Sequence, residues 1–381
     1  TRYPLVTGVQ TCALPISAKV ANASTAGRDV YSMSPALVSH RIEVESAEQA
    51  LETYYQNGWT DGLPVVAPTE EKVLAFLGAA GLAPDEILGA IPERNRIFTA
   101  EKVAINAVMA GCLPEYFPVV VAAVRGISRP EFGLHGVSAS TAGSGILMVV
   151  NGPVASACGL NNGQNLMGPG NRANATIGRA VRLVLYNLGG REFDRSTLGH
   201  PGKYTYCIGE QETGSWAPLH MMRGFGKETS AVTLFAAEGP NQIQNHVALK
   251  PENILNTIAD RMRALGSFNM GGDCECAVII CPEHHETIVR DGWTKEGVRE
   301  FLYENARRPL ADLKRGGLNE SPIEPGDEER MVRAVSSPEH ILLIMAGGGA
   351  GRFSACMPGW FSRHMSRAVT EPVGQSCAGG T

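Results

Sequence analysis

The chain has 381 residues, 44% of them hydrophobic and 19% charged, with a net charge of −5. That balance supports a sizeable buried core and lacks the basic footprint of a nucleic-acid binder. The longest apolar stretches (VVVAAV at 119–124, ILMVV at 146–150, AVII at 277–280, ILLIMA at 341–346) are too short to cross a bilayer, which predicts no membrane segment.

Taken in chain order, residues 6–16, VTGVQTCALPI, are what a common sequencing-library adapter encodes. Thr1 and Arg2 continue that frame, with Tyr3, Pro4 and Leu5 over a variable index, so residues 1–17 read as non-native. Residues 18–45 carry no periodic signal and read as uncertain or disordered, with Met33 a candidate start. Of nine cysteines, Cys12 falls with the adapter. The others are scattered through a chain too large to need disulfide staples, which favours a reduced, cytoplasmic setting.

From Ser46 the pattern is regular. SAEQALETYYQNG predicts a helix capped by Ser46 and closed by Gly58, LPVVAP a short strand, and Thr69 the cap of a helix with Val73, Leu74 and Leu77 on one face. Thr99 opens another helix, ended by Gly111, and Pro114 begins the next. Between 133 and 190 glycine and asparagine dominate, and "NNGQNLMGPGNRANATIGRAVRLVLYNLGG" reads as a loop feeding a helix capped by Asn171 or Asn174. After 228, strand and helix candidates alternate: 231–239, 251–266, 276–282, 283–289, 294–307 and 341–351. The expected fold is α/β: a helical and Gly/Asn-rich domain at 46–227, an α/β domain on a parallel or mixed sheet at 228–373, and a tail at 374–381. No internal sequence repeat is evident.

A parallel sheet binds ligands beyond the carboxyl ends of its strands, which draws attention to the loops at 238–241, 282–285 and 347–351. Asn171, Arg172 and Asn174, at a helix start, suit an anion, as do the backbone groups of Gly348 and Gly349 in GGGAG; turn geometry is the plain alternative. Both the P-loop and the dinucleotide fingerprint are missing, so no nucleotide follows, and the sequence leaves any cofactor open. The segment 198–226 gathers His200, Lys203, Cys207, Glu210, Glu212, His220 and Arg223, with strand alternation over KYTYCIGE. From it, Glu210 and His220 read as an acid–base pair and Lys203 and Arg223 as substrate contacts. His284, at a helix start that would keep its ring neutral, is a third acid–base candidate. Cys112, beside another helix start, reads either as a thiol of lowered pKa or as a buried structural cysteine. Ser354 and Cys356 lack a nucleophile elbow, and Cys274, Cys276 and Cys281 lack zinc-ligand spacing, so no metal is expected.

DGLPVVAPTEEKV (61–73), EKVAINAVMAGCLPEYFPVV (101–120), NGPVASACGLNNGQNLMGPGNRANATIGRA (151–180), LGHPGKYTYCIGE (198–210) and CPEHHETIVRDGWTKEGVREFL (281–302) together resemble a bacterial family found with, or fused to, a small UGSC-motif domain. That domain is compared with selenoprotein components of glycine/betaine reductase. The chain itself carries GQSC at 374–377 in place of the UGSC tetrad. The resemblance implies an enzyme or enzyme component working with a redox partner protein. Combined with the residues above, the expectation is thiol or acid–base chemistry on a small anionic metabolite, with a non-catalytic scaffold subunit or a hydrolase as alternatives. Partners in view are that small molecule, the redox partner and further copies of the chain, with neither nucleic acid nor membrane.

Overall fold

In a computed structural model of the chain, residues 3–6, 37–190, 194–271, 274–360 and 365–374 are described. Helix caps act where the sequence places them. Ser46, Thr69 and Asn171 accept the N–H three residues on and open α1 (Ala47–Gln56), α2 (Glu70–Ala80) and α5 (Arg172–Leu188). Between the last two lie α3 (Ala100–Ala110), α4 (Phe117–Ile127) and strand β1 (Gly145–Asn151). LPVVAP is not a strand. Its Val66 N–H instead donates to Met109 O at 3.1 Å, satisfying a carbonyl left over in the last turn of α3.

Beyond α5 come β2 (Cys207–Gly209), β3 (Ala231–Ala237), β4 (Asn241–Gln244), α6 (Pro251–Met262), β5 (Cys276–Ile280), α7 (Pro282–Arg290) and α8 (Lys295–Asn305). The final strands are β6 (Ile341–Met345), β7 (Phe353–Pro358) and β8 (Val369–Pro372). Alternation over KYTYCIGE holds only from Tyr206, because Pro201–Lys203 forms a 3-10 turn and leaves Tyr204 exposed.

Two four-stranded mixed sheets result, ordered β8-β3-β1-β2 and β6-β5-β7-β4. They stack face to face. Leu147, Val149, Ile208 and Phe235 of the first sheet share a core with Ala277, Ile279, Leu342 and Ile344 of the second. The alternate residues Ile146, Met148 and Val150 point outward under α2–α5, and Cys276, Val278 and Ile280 under α6 and α8. The molecule is therefore an α/β fold of four layers, helix–sheet–sheet–helix.

The two halves repeat one plan. β1 runs parallel to β2 and antiparallel to β3, and β5 runs parallel to β6 and antiparallel to β7. Helix α4 packs on β3 and β8, as α6 packs on β7 and β4. The fourth strand of each sheet comes from the other half: β4, directly after β3, pairs with β7, while β8, after β7, pairs with β3. A structural repeat is thus present where the sequence shows none, and the first sheet draws strands from both sides of 227/228, since β3 and β8 lie beyond it and β1 and β2 before it. At the crossing, Ala237 bridges Gly359, where a Cβ would lie 2.7 Å from Glu275 O and from Phe235 Cζ. Only glycine permits that approach.

The lead-in is more ordered than expected from 37 onward. Leu37 is buried and Arg41–Val44 is a strand, paired antiparallel with the backbone of Tyr3–Val6 inside the adapter-like stretch. The remainder of residues 1–36 and of the tail beyond Gly374, including Cys377, lies outside the described residues.

Candidate active-site crevice at the strand ends

β1 ends at Asn151, and positive-φ Gly152 turns the chain there (φ +77°), where a Cβ would lie 2.4 Å from Thr229 O. β2 ends at Gly209, followed by Glu210, Gln211 and Glu212. Between these ends opens a cavity of about 310 Å³ whose wall includes Gly152, Asn162, Glu210, Glu212, Lys227 and Glu228. The asparagine-glycine loop, the 198–226 segment and the second half's glycine loop meet beside it. Gln211 Nε2 donates to Asn162 O (2.9 Å) and Gly347 O (2.7 Å), and Gly347 N–H donates to Asn162 O (2.9 Å).

Glu210 is 3% exposed and fully engaged. Oε2 accepts from Asn151 Nδ2 (2.8 Å) and Leu219 N–H (2.7 Å), while Oε1 lies 3.5 Å from Lys295 Nζ. Burial pulls the Lys295 pKa down and the Glu210 carboxylate opposes that. Glu212 differs. Its Oε1 accepts from Gly152 N–H (2.6 Å) and Asn151 Nδ2 (3.0 Å), and its Oε2 has no protein partner among the described residues. Asn151 joins the two carboxylates through one amide nitrogen, and its Oδ1 is buried without a partner. His220 lies behind this wall, wholly buried, with Nε2 3.3 Å from Lys227 O and Nδ1 unpartnered. It braces the Lys227 loop and does not line the cavity.

Several expected site residues serve the fold instead. Asn171 caps α5 and donates from Nδ2 to Gly159 O (2.8 Å). Arg172 donates twice to Gly111 O, closing α3, and Asn174 clamps Asn161 through both its N–H and its carbonyl. The three latch the loop to α3 and to the start of α5. Gly348 lies against Gln164, and nothing lies within 4 Å of a Cβ built at Gly349. Loop donors at Gly351 and Arg352 are taken by Glu283 Oε2 at 2.6 and 2.9 Å, which hold that carboxyl below its ordinary pKa. Arg223 donates to Ala368 O (2.7 Å), fixing β8. Lys203 belongs to a separate cavity, where its ammonium donates to Asp194 Oδ1 and to Ser196 Oγ (2.9 Å).

His284 is wholly buried, Nδ1 2.8 Å from Ser354 Oγ and Nε2 3.0 Å from Asn245 O. Ser354 also accepts from Cys281 N–H (3.2 Å) and is 2% exposed, so this pair ties α7 to β7 away from any solvent-facing site. Burial lowers the His284 pKa, a different cause from the helix start invoked from sequence. Cys112 is buried in the helical layer, its thiol donating to Thr176 O (3.3 Å), and burial pushes its pKa up to about 12. That overturns the reading of a thiol activated by a helix start. Cys276 and Cys356 face each other with sulfurs 3.6 Å apart inside the outer core. Glu212, Asn162 and Lys227 in the wall, and Asn151 and Lys295 behind Glu210, were not singled out as site residues from sequence; Glu212 fell in the segment 198–226, and Asn151 and Asn162 in the asparagine-rich stretch.

No family model matches the chain, and no curated protein matches its sequence.

Proposed function

We propose that the chain is an enzyme that removes a proton from a small polar substrate held in the strand-end crevice, with Glu212 as general base. The observation that carries this is the asymmetry of Glu212, pinned through Oε1 by Gly152 and Asn151 with Oε2 left in the cavity wall. A base needs that combination of fixed orientation and an available oxygen. Glu210 and Lys295 neutralise each other beneath it and hold Asn151 in place. Glu212 and Glu228 against Lys227 give the lining a negative balance, which suits a substrate bearing an amine or hydroxyl donors better than the anion expected from sequence.

Thiol chemistry at the described cysteines is not favoured. Every described cysteine is buried, and burial raises the pKa of Cys112, Cys158 (to about 11), Cys207 and Cys281. Under the UGSC-family resemblance, a reductive step would fall to the partner's thiol or selenol.

The test is carbon-bound deuterium uptake in D2O by a panel of small amines, polyols and hydroxy acids, followed by NMR. One or more compounds should exchange with the parent protein, and Glu212→Gln should slow that exchange by about 10²-fold or more. Absence of exchange across the panel, or equal exchange in the folded variant, overturns the reading.

A further inference from the structure

A carboxylate is too weak a base to remove a carbon-bound proton unaided. The electron pair left on carbon has to be drawn onto an oxygen whose developing charge meets a fixed donor or cation. Glu212 as base therefore calls for an electrophile in the wall of the same cavity. Most nearby donors are spent: Gly152 N–H on Glu212 Oε1 (2.6 Å), Val154 N–H on Ser230 Oγ (3.0 Å), and Lys295 Nζ on Ala217 O (2.8 Å) and Glu210. Asn162, Ser156 and Thr213 offer neutral donors only. Lys227 is the one cation among the described lining residues, and its ammonium has no protein acceptor among them.

The main chain holds Lys227 beside the base. Its carbonyl lies 3.3 Å from Nε2 of the wholly buried His220, and Thr229 N–H closes a turn on Gly226 O at 3.0 Å. Thr229 O and Ser230 Cα press on Gly152, the residue that pins Glu212; a Cβ there would meet them at 2.4 and 2.9 Å. Base and cation thus hang from two loops in direct contact.

Resting on the reading of Glu212 as base, we propose that Lys227 is the electrophile of the reaction and that the substrate is a small α-hydroxy or α-amino carbonyl compound. Glu212 Oε2 takes the proton from the carbon next to the carbonyl. The C–H pair becomes a C=C bond and the carbonyl π pair moves to oxygen, where the Lys227 ammonium donates to the enolate. Return of the proton, or of a deuteron from solvent, restores the carbonyl, so atoms and electrons balance with no oxidant or reductant. Glu228, in the same wall, accepts from the hydroxyl or amine on the carbon that loses the proton.

The probe is dihydroxyacetone in D2O, with glycerol, which lacks the carbonyl, as control; NMR follows loss of the C–H signal. The parent should speed exchange of dihydroxyacetone and leave glycerol unlabelled. Lys227→Met should slow exchange about 10²-fold with KM little changed, because the charge is needed most in the transition state. Lys227→Arg, which keeps the charge, should retain part of the rate. Lys227 is exposed, so both variants should keep the parent melting temperature. Lys227→Met as fast as the parent, or Lys227→Arg as slow as Lys227→Met, overturns the role of Lys227, while a slow Glu212→Gln leaves the base standing. Labelling by the parent of a compound without a carbonyl, and not of dihydroxyacetone, overturns the substrate class alone. No labelling of any compound overturns both readings.

Discussion

His285 packs edge-on against Trp216 with ring centroids 4.6 Å apart, and its buried Nε2 has no partner. Burial, with Lys295 nearby, holds its pKa below the ordinary histidine value, and burial does the same for His200 and His284. Between that lowered folded value and the unfolded value near 6.5, the unfolded chain binds more protons, so stability falls as pH drops through this window. Carboxyls that burial raises, Glu238, Glu275 and Glu371, act in the opposite sense and are common to parent and variant. His285→Phe, which keeps the aromatic contact and removes one titrating ring, should flatten the loss of melting temperature between about pH 7 and about pH 5.5. An unchanged slope would mean that His285 does not titrate in this window. The buried Glu210–Lys295 pair predicts a different signature. Lys295→Met strands a carboxylate that is 2% exposed at its side chain and should cost about 3 kcal/mol in denaturant unfolding, whereas adding Glu210→Gln should recover most of it. Equal stability of the single and double variants contradicts that coupling.

Helices announce themselves in this sequence because their signals are local: a hydroxyl or amide cap, an apolar stripe and a terminal glycine all lie within a dozen residues, as at Thr69 to Gly81. Strands of the two buried sheets are legible as apolar runs but silent about partners, since β1 and β5 are covered on both faces and show no alternation to orient them. β4, the four residues NQIQ, has no strand signal at all, so the exchange that locks the halves was invisible. The same limit applies to the site. Glu210 stood out as a carboxylate in a glycine-rich segment, but whether a polar group is free depends on distant carbonyls such as those of Gly111 and Gly159, which have already claimed Arg172 and Asn171. At the strand crossing the demand is steric. Gly359→Ala would place a methyl 2.7 Å from Glu275 O and should cost about 1–3 kcal/mol by chemical denaturation. Parent-like stability would show that the crossing gives way.

Exchange of the fourth strand makes each sheet depend on both halves, and the shared inter-sheet core adds to that dependence. Without β8, β3 loses one of its two antiparallel neighbours and becomes an edge strand; without β4, β7 does the same. Two consecutive domains joined by a linker would melt separately, each with its own core. Here Leu147 and Ile279 lie in one cluster contributed by both sheets, and truncating either to alanine removes packing from both halves. Calorimetry should therefore show one transition, lowered as a whole by Ile279→Ala, with about 2–5 kcal/mol lost. Splitting the chain after Leu249, between β4 and α6, should give two pieces that are each unfolded alone and regain the parent far-UV spectrum when mixed, because each carries the strand that the other sheet lacks. Two resolved transitions in the parent, or a fragment that folds by itself, would show that the halves are separate domains and that the exchanged strands are ornaments on them.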